Sequence, residues 1–214
     1  MNTGIREKEE IKEKILDQAR EHFRRYGIRS VSMDDIAKEL GMSKKTIYQH
    51  FKDKDDLVCQ FVARQMEMEY QDLKALAENA RDAIDAVLKM SGYFKELYSN
   101  VNPALIYDLE KYHPNARKVE KHYEEIFFRK MMVENLRKGM ADGFYRAEID
   151  PEFVSLMWMR MMEWVCDPDA FPPQQYDIWD THLRLVEMII RGIVTLRGFQ
   201  RLEEHQHLFQ TKKP

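Results

Sequence analysis

Between Ser32 and Phe51 the chain reads as two short helical patterns divided by one glycine. In the first, Met33, Ile36, Ala37 and Leu40 recur at steps of three and four, which gives a helix one apolar face. In the second, Ile47 and Phe51 fall on one side, within about 40° of each other at about 100° per residue. Ser32 is placed to cap the first helix, with Asp34 and Asp35 complementing its positive end, and Ser43 is placed to cap the second. Gly41 ends the first helix where the turn calls for a residue that accepts positive φ. A helix, a glycine turn and a second short helix is a severe constraint, because few arrangements bury two such small apolar faces together.

The second helix is polar outside. Lys45, Thr46, Gln49 and Lys52 point away from Ile47 and Phe51, while Lys44 and Tyr48 flank one edge of the apolar stripe and His50 flanks the other. That is the helix-turn-helix pattern, with side chains suited to a DNA major groove. Lysine reaches guanine O6 and N7, glutamine pairs with adenine, and hydroxyls reach phosphate. The same residues on any short helix also serve simply to meet solvent, and both readings stand on the residues alone. The net charge of −3 hides an asymmetry, with residues 1–55 at +2 and the remainder at −5. Gly41–Lys54 holds four lysines against one aspartate. A local patch matters more to an electrostatic footprint than the total.

Nearly all of the rest reads as helix too, with only 8 glycines and 7 prolines to interrupt it. The first helix is expected from about Lys8 to Tyr26, on a stripe of Ile11, Ile15, Ala19 and Phe23 that Leu16 and Tyr26 broaden, and Gly27 stops it. A fourth begins near Lys54 after Asp53. Later helices are expected over Asp82–Tyr98, Pro103–Tyr112, Asn115–Lys138, Asp150 to about Val165, and Ile178 to about Arg197. The expected fold is all-α: an N-terminal three-helix helix-turn-helix domain, residues 1–54, and a larger helical domain, residues 55–214.

The stretch from Ser32 to Leu57 closely resembles the DNA-binding signature of the TetR family of bacterial transcriptional regulators. Ser32, Ile36, Ala37, Gly41, Ser43, Thr46, Ile47, Tyr48, His50, Phe51, Lys54 and Leu57 match it in type and spacing, and Met42 stands where the family more often has valine. The resemblance covers roughly residues 10–58. It implies that Thr46, Tyr48 and His50 contact phosphate or the groove edge, and that Lys44, Lys45 and Gln49 read bases. Lys54 would hold a phosphate, helped by the positive end of its helix, and Ser32 would touch the DNA backbone. It further implies a homodimer on a palindromic operator and a small-molecule effector that shifts the protein between two states.

Beyond residue 58 no comparable motif appears. The resemblance implies a ligand cavity and a dimer interface there. Tyr93, Tyr107, Tyr123, Phe127, Met131, Met157, Trp158 and Met161 are the expected cavity residues, since methionine and aromatics line adaptable apolar pockets. The plain alternative is that 14 Met, 10 Tyr, 11 Phe and 3 Trp pack a helical core. In the family the last two helices of each subunit form a four-helix bundle, which puts Phe153, Met157, Met162, Leu185, Met188 and Ile189 at the expected interface.

Other functions fit the sequence less well. It holds no nucleophile elbow, no glycine-rich phosphate loop and no HExxH, so no enzyme is expected; Glu110 and His113 alone make a weak acid–base pair. His205 with His207, and His113 with His122, lack the spacing of a helical chelate, so neither metal nor cofactor is expected. No apolar run reaches the ~18 residues of a membrane span. The charged start "MNTGIREKEEIKEK" lacks the apolar core of a signal peptide. Cys59 and Cys166 are expected reduced and packed as small hydrophobes, in the cytoplasm. The expected function is that of a repressor released from its operator by a small, largely apolar ligand; the alternative is a DNA-binding protein of the same fold with a structural or activating role and no inducer.

Overall fold

The structure, a computed structural model, describes residues 3–205 except 101, 168 and 173, together with residue 209; the side chains of residues 3, 5, 98–100 and 103 are outside that description. His207 therefore lies outside the described residues, as does the side chain of Tyr98. Among the described residues the elements are helices, in the order α1 (Thr3–Tyr26), α2 (Met33–Glu39), α3 (Lys44–Tyr48), α4 (Lys54–Glu78), α5 (Ala83–Asn100), α6 (Pro103–Tyr112), α7 (Pro114–Tyr123), a π-helical turn (Glu124–Phe128), α8 (Arg129–Ala141), α9 (Pro151–Val165), α10 (Ile178–Ile193) and α11 (Leu196–Glu203). No described helix is long and apolar enough to cross a membrane.

The chain forms two compact units. One takes Met1–Glu69 and Asn100–Glu124, the other Tyr70–Ser99 and Glu125–Pro214. In the first, Ile15, Ala19 and Phe23 of α1 close over Ile36 and Ala37 of α2, Ile47 and Phe51 at α3, and Leu57 and Phe61 of α4. The expected stripe on α1 is this core, except that Tyr26 points out and is half-exposed. Leu109 of α6 and Ala116 of α7 belong to the same core. Packing therefore groups residues differently from the 54/55 division, which α4 crosses without a break.

In the second unit Leu73, Ile84, Val87, Leu136, Tyr145, Trp158, Val186 and Ile190 make the core. Two expected helices differ. The helix expected over 115–138 is two α-helices joined by the π turn "EEIFF". The last helix stops at Ile193, four residues short of the expected end, for a legible reason. Ile193, Val194 and Thr195 are β-branched, and Val194 leaves the helix to form an isolated bridge with Tyr145. Thr195 then restarts the chain as a cap, its hydroxyl accepting from Gly198 N–H at 3.1 Å. Cys166 is exposed and Cys59 half-buried, so only Cys59 packs as a small hydrophobe should.

Candidate nucleic-acid interface

Two caps set the interface. Ser32 accepts from Asp35 N–H through its hydroxyl at 3.2 Å, while its own N–H donates to the Asp35 carboxylate at 2.8 Å, a reciprocal capping box. Ser43 accepts from Thr46 N–H at 3.0 Å, and the two hydroxyls pair at 2.8 Å. Between them Gly41 has φ +62, the left-handed conformation the turn demands. With Ile47 and Phe51 almost fully buried, the outer face of α3 has no freedom to rotate.

On that face Lys44, Lys45 and Gln49 are exposed, Tyr48 is 44% exposed, and Thr46 and His50 are half-buried. α3 itself ends at Tyr48, so Gln49 and His50 lie in the turn that follows rather than in a helix reaching Phe51. Lys44 is not free for a base in this state. Its ammonium pairs with Asp34 at 2.9 Å and lies 6.0 Å from the centre of the Tyr48 ring. An exposed pair of this kind is weakly held in water, so a phosphate or base displaces Asp34 readily. Burial and the nearby Lys8 and Lys12 push the His50 imidazole below its usual range, which keeps it neutral at neutral pH. A neutral ring donates one N–H to a phosphate without bringing a charge.

Lys54 opens α4 and is half-buried. Burial lowers its pKa, while Asp108 and Asp35 oppose that shift. Its ammonium donates to the Arg29 carbonyl at 3.4 Å, which aims it at the loop between α1 and α2. Asp55, one residue on, accepts from Asn115 at 2.9 Å and pairs with His113 Nδ1 at 3.0 Å. Gly27 at φ +78 brings its backbone against Asp108, whose carboxylate accepts from Arg29 N–H at 2.8 Å. Residues of α6 and α7 thus fix both the entry to α2 and the start of α4. Sequence periodicity gave no sign of these long-range polar ties, although Gly27 followed by an exposed basic loop was a partial signal.

The expected cavity residues divide between the units. Tyr93, Phe127, Met131, Trp158 and Met161 lie in the second; Trp158 and Met161 are buried and the others half-buried. Phe127 and Phe128 pack on Tyr70, with ring centres at 4.8 and 6.4 Å. Tyr107 and Tyr123 lie in the first, and Tyr107 is 53% exposed. Met157, expected both in the cavity and at the interface, is exposed at 42%. On α9 and α10, Phe153 at 60% and Met188 at 57% exposure stand out from their helices, with Met162, Leu185 and Ile189 half-buried. Glu110 and His113 do not pair, since His113 is engaged with Asp55. Among the described residues no group of three metal-ligating side chains converges.

Comparison with known proteins agrees with this geometry. Residues 15–60 match the family model for bacterial regulatory proteins of the tetR family. An HTH-type transcriptional regulator of Staphylococcus aureus (strain USA300) is 28% identical over 161 residues, 69% of this chain and 86% of that protein. The HTH-type transcriptional repressor KstR2 of Rhodococcus jostii is 25% identical over 156 residues, 71% and 75% of the two chains. The solved structure of the fatty acid degradation regulator FadR from Bacillus halodurans has the same fold, with a TM-score of 0.66 at 19% identity over 85% of this chain and 95% of that one. The matched segment runs from the first core residues of α1 through the caps, the turn and the start of α4, which are the parts that shape the interface. Residues 15–60 thus carry the helix-turn-helix segment of the tetR family of bacterial regulatory proteins, and the longer chain is similar to DNA-binding regulators of transcription.

Proposed function

We propose that the protein is a repressor that binds a palindromic operator as a homodimer and is released by a small, largely apolar ligand. The observation that carries this reading is the rigid outer face of α3 (Lys45, Tyr48 and Gln49 exposed over buried Ile47 and Phe51) with Lys54 at the head of the next helix. Residues 1–54 read the DNA; residues 55–214 hold the ligand and pair the subunits. Lys45 and Gln49 take bases, and Lys44 joins them once Asp34 is displaced. Thr46, Tyr48, His50 and Lys54 take phosphates. Ser32 contributes its exposed position at the head of α2, since its hydroxyl is already used in the cap. A regulator of genomic DNA works where that DNA is, in the cytoplasm.

The exposed apolar side chains of α9 and α10 support the dimer. Phe153, Leu156, Met157 and Trp164 on one helix and Met188 on the next are large hydrophobics open to water. Several large hydrophobics exposed on two neighbouring helices are the kind of surface that a partner covers. Two-fold pairing also matches the chemistry of the target, because one helix-turn-helix binds weakly and two spaced by about 34–36 Å read successive major grooves. For the ligand, Tyr93, Phe127, Met131, Trp158 and Met161 supply apolar surface with a phenol as polar handle. A ligand that favours one of two states shifts the population by its difference in affinity for them.

Two substitutions test the division of labour on DNA. Lys54→Ala weakens binding to all sequences and lowers the slope of log affinity against log salt by about one. Lys45→Ala instead relaxes preference at particular base pairs, by about 1–3 kcal/mol where a good pairing is removed. Binding titrations over a salt series and over single-base operator variants read both effects. An even weakening across all sequences for Lys45→Ala would move that residue to the phosphate contacts, and unchanged binding by Lys54→Ala would remove Lys54 from the interface.

A further inference from the structure

Beside Lys54 lies a surface that the recognition helix does not use. The Arg29 carbonyl that accepts from Lys54 belongs to a residue whose guanidinium lies 5.0 Å from the centre of the Tyr112 ring and donates to the Tyr112 hydroxyl at 3.1 Å. Tyr112 packs edge-on to Tyr107, ring centres 6.2 Å apart. Lys111 sits over both rings, at 4.9 and 5.6 Å, and donates to the Tyr107 hydroxyl. On the other side, Arg25 lies 5.1 Å from the centre of the exposed Tyr26 ring, and its carbonyl accepts from Asn102 at 3.2 Å. Arg25, Arg29 and Lys111 are all exposed, and all belong to the same compact unit as α3. The acidic groups beside these residues are Asp108, which is buried and accepts from Arg29 N–H, Asp35, which is spent on the α2 cap, and Asp55, next to Lys54, which is engaged by Asn115 and His113. Glu110, exposed on α6, interacts with Arg117 of α7.

Resting on the DNA-binding reading above, we propose that this tyrosine-braced basic patch is a second phosphate-binding surface, which grips the DNA backbone flanking the operator half-site. Three observations carry it. The patch is continuous with Lys54, through a direct hydrogen bond to Arg29. Its cations are exposed while the carboxylates beside them are buried or engaged, in a chain that is acidic overall, and DNA is the polyanion this protein meets. Its cations lie against tyrosine rings, which hold long flexible side chains in place and add hydroxyl donors that phosphate accepts from. Contacts of this kind carry no base preference; they add affinity and salt dependence and set the orientation of the head on the duplex.

The test uses the full-length protein and a fluorescent mixed-sequence duplex of about 40 base pairs, long enough to extend past two half-sites one turn apart, with the salt slope of binding as the readout. Arg29→Ala combined with Lys111→Ala is expected to lower the slope by about two, roughly 0.9 for each phosphate no longer neutralised. Lys111→Glu, which alters a side chain that touches only surface tyrosines, is expected to lower it by at least one and controls for any effect of Arg29 on folding. Lys130→Ala removes the same charge from an exposed site in the other unit and is expected to leave the slope unchanged. A wild-type slope in both patch variants, alongside a reduced slope for Lys54→Ala, overturns the patch and leaves the DNA-binding reading intact. An equal reduction in Lys130→Ala also overturns it, since bulk charge would then explain the effect. A wild-type protein that binds no duplex even at low salt overturns both readings.

Discussion

Gly139→Ala lowers the stability of the second unit by about 3–5 kcal/mol, the cost of turning a large aromatic out of a packed core. Helix propensity alone predicts the opposite, since alanine inside a helix is favoured over glycine by about 1 kcal/mol. Packing decides the sign. A Cβ on Gly139 would meet the Cδ2 and Cε2 edge of the Tyr145 ring and would stand 3.0 Å from Ala83 Cβ. Tyr145 is among the largest fully buried side chains, and its hydroxyl donates to Asn135 Oδ1 at 3.3 Å. Asn135 in turn donates to the Ala83 carbonyl at 2.9 Å, so displacing the ring also strains a buried polar chain. Gly92, on exposed α5 surface with nothing within 4 Å of its would-be Cβ, is the internal control. Gly92→Ala holds or raises the melting temperature, while Gly139→Ala drops it by about 10 °C for a chain of this size. Equal melting temperatures for the two variants would mean that the Tyr145 ring does not rest on Gly139.

Stability falls by about 3 kcal/mol as pH drops from about 6.5 to about 4, and His182 is the main cause. Its side chain is buried in α10, stacked on Trp179 with ring centres 5.5 Å apart and flanked by Phe94 at 5.6 Å. Burial among these rings pushes its pKa down from 6.5 to about 4. In the unfolded chain the imidazole takes a proton near pH 6.5; in the folded chain it resists until about pH 4. Between those values the unfolded state holds more protons, so acid favours unfolding, and above pH 6.5 the penalty vanishes. His50 is shifted in the same direction and adds to the slope, but it is less buried. Asp35, Asp55 and Asp85, all held below the usual carboxylate value, lose their contribution only at lower pH. Denaturant midpoints of wild type and His182→Phe at pH 7 and pH 4.5 separate these groups. The wild type loses most of the 3 kcal/mol between them and the variant loses little; an equal loss would assign the acid sensitivity elsewhere.

The helix-turn-helix segment was legible because local rules and tertiary packing agree there. The serine caps, Gly41, and Ile47 with Phe51 each state the same geometry, and each is set by residues within about ten positions. The remainder obeys rules that sequence periodicity does not report. Val194 leaves α10 because Tyr145, far away in the chain, offers it a bridge. "EEIFF" has ordinary helical composition, and nothing in its spacing sets its π turn apart from the α-helix on either side. Nothing in the spacing of Asp108 and His113 reports that they tie α6 and α7 to Arg29 and Asp55. Phe153 and Met188 were expected at an interface from the resemblance alone; their spacing does not distinguish them from Trp158 and Val186, which are buried while they are exposed. The residues expected to line a cavity were the least legible, because a methionine or tyrosine beside a pocket has the same spacing as one that fills a core.

The proposed function requires above all that this chain bind specific DNA as a dimer. The decisive experiment is selection of fragments from sheared genomic DNA of the source organism, with purified protein at near-physiological salt. A small set of recovered fragments is expected, sharing a palindrome with half-sites centred about one helical turn apart. Recovery of random fragments, or of none both before and after refolding in the absence of ligand, would refute it.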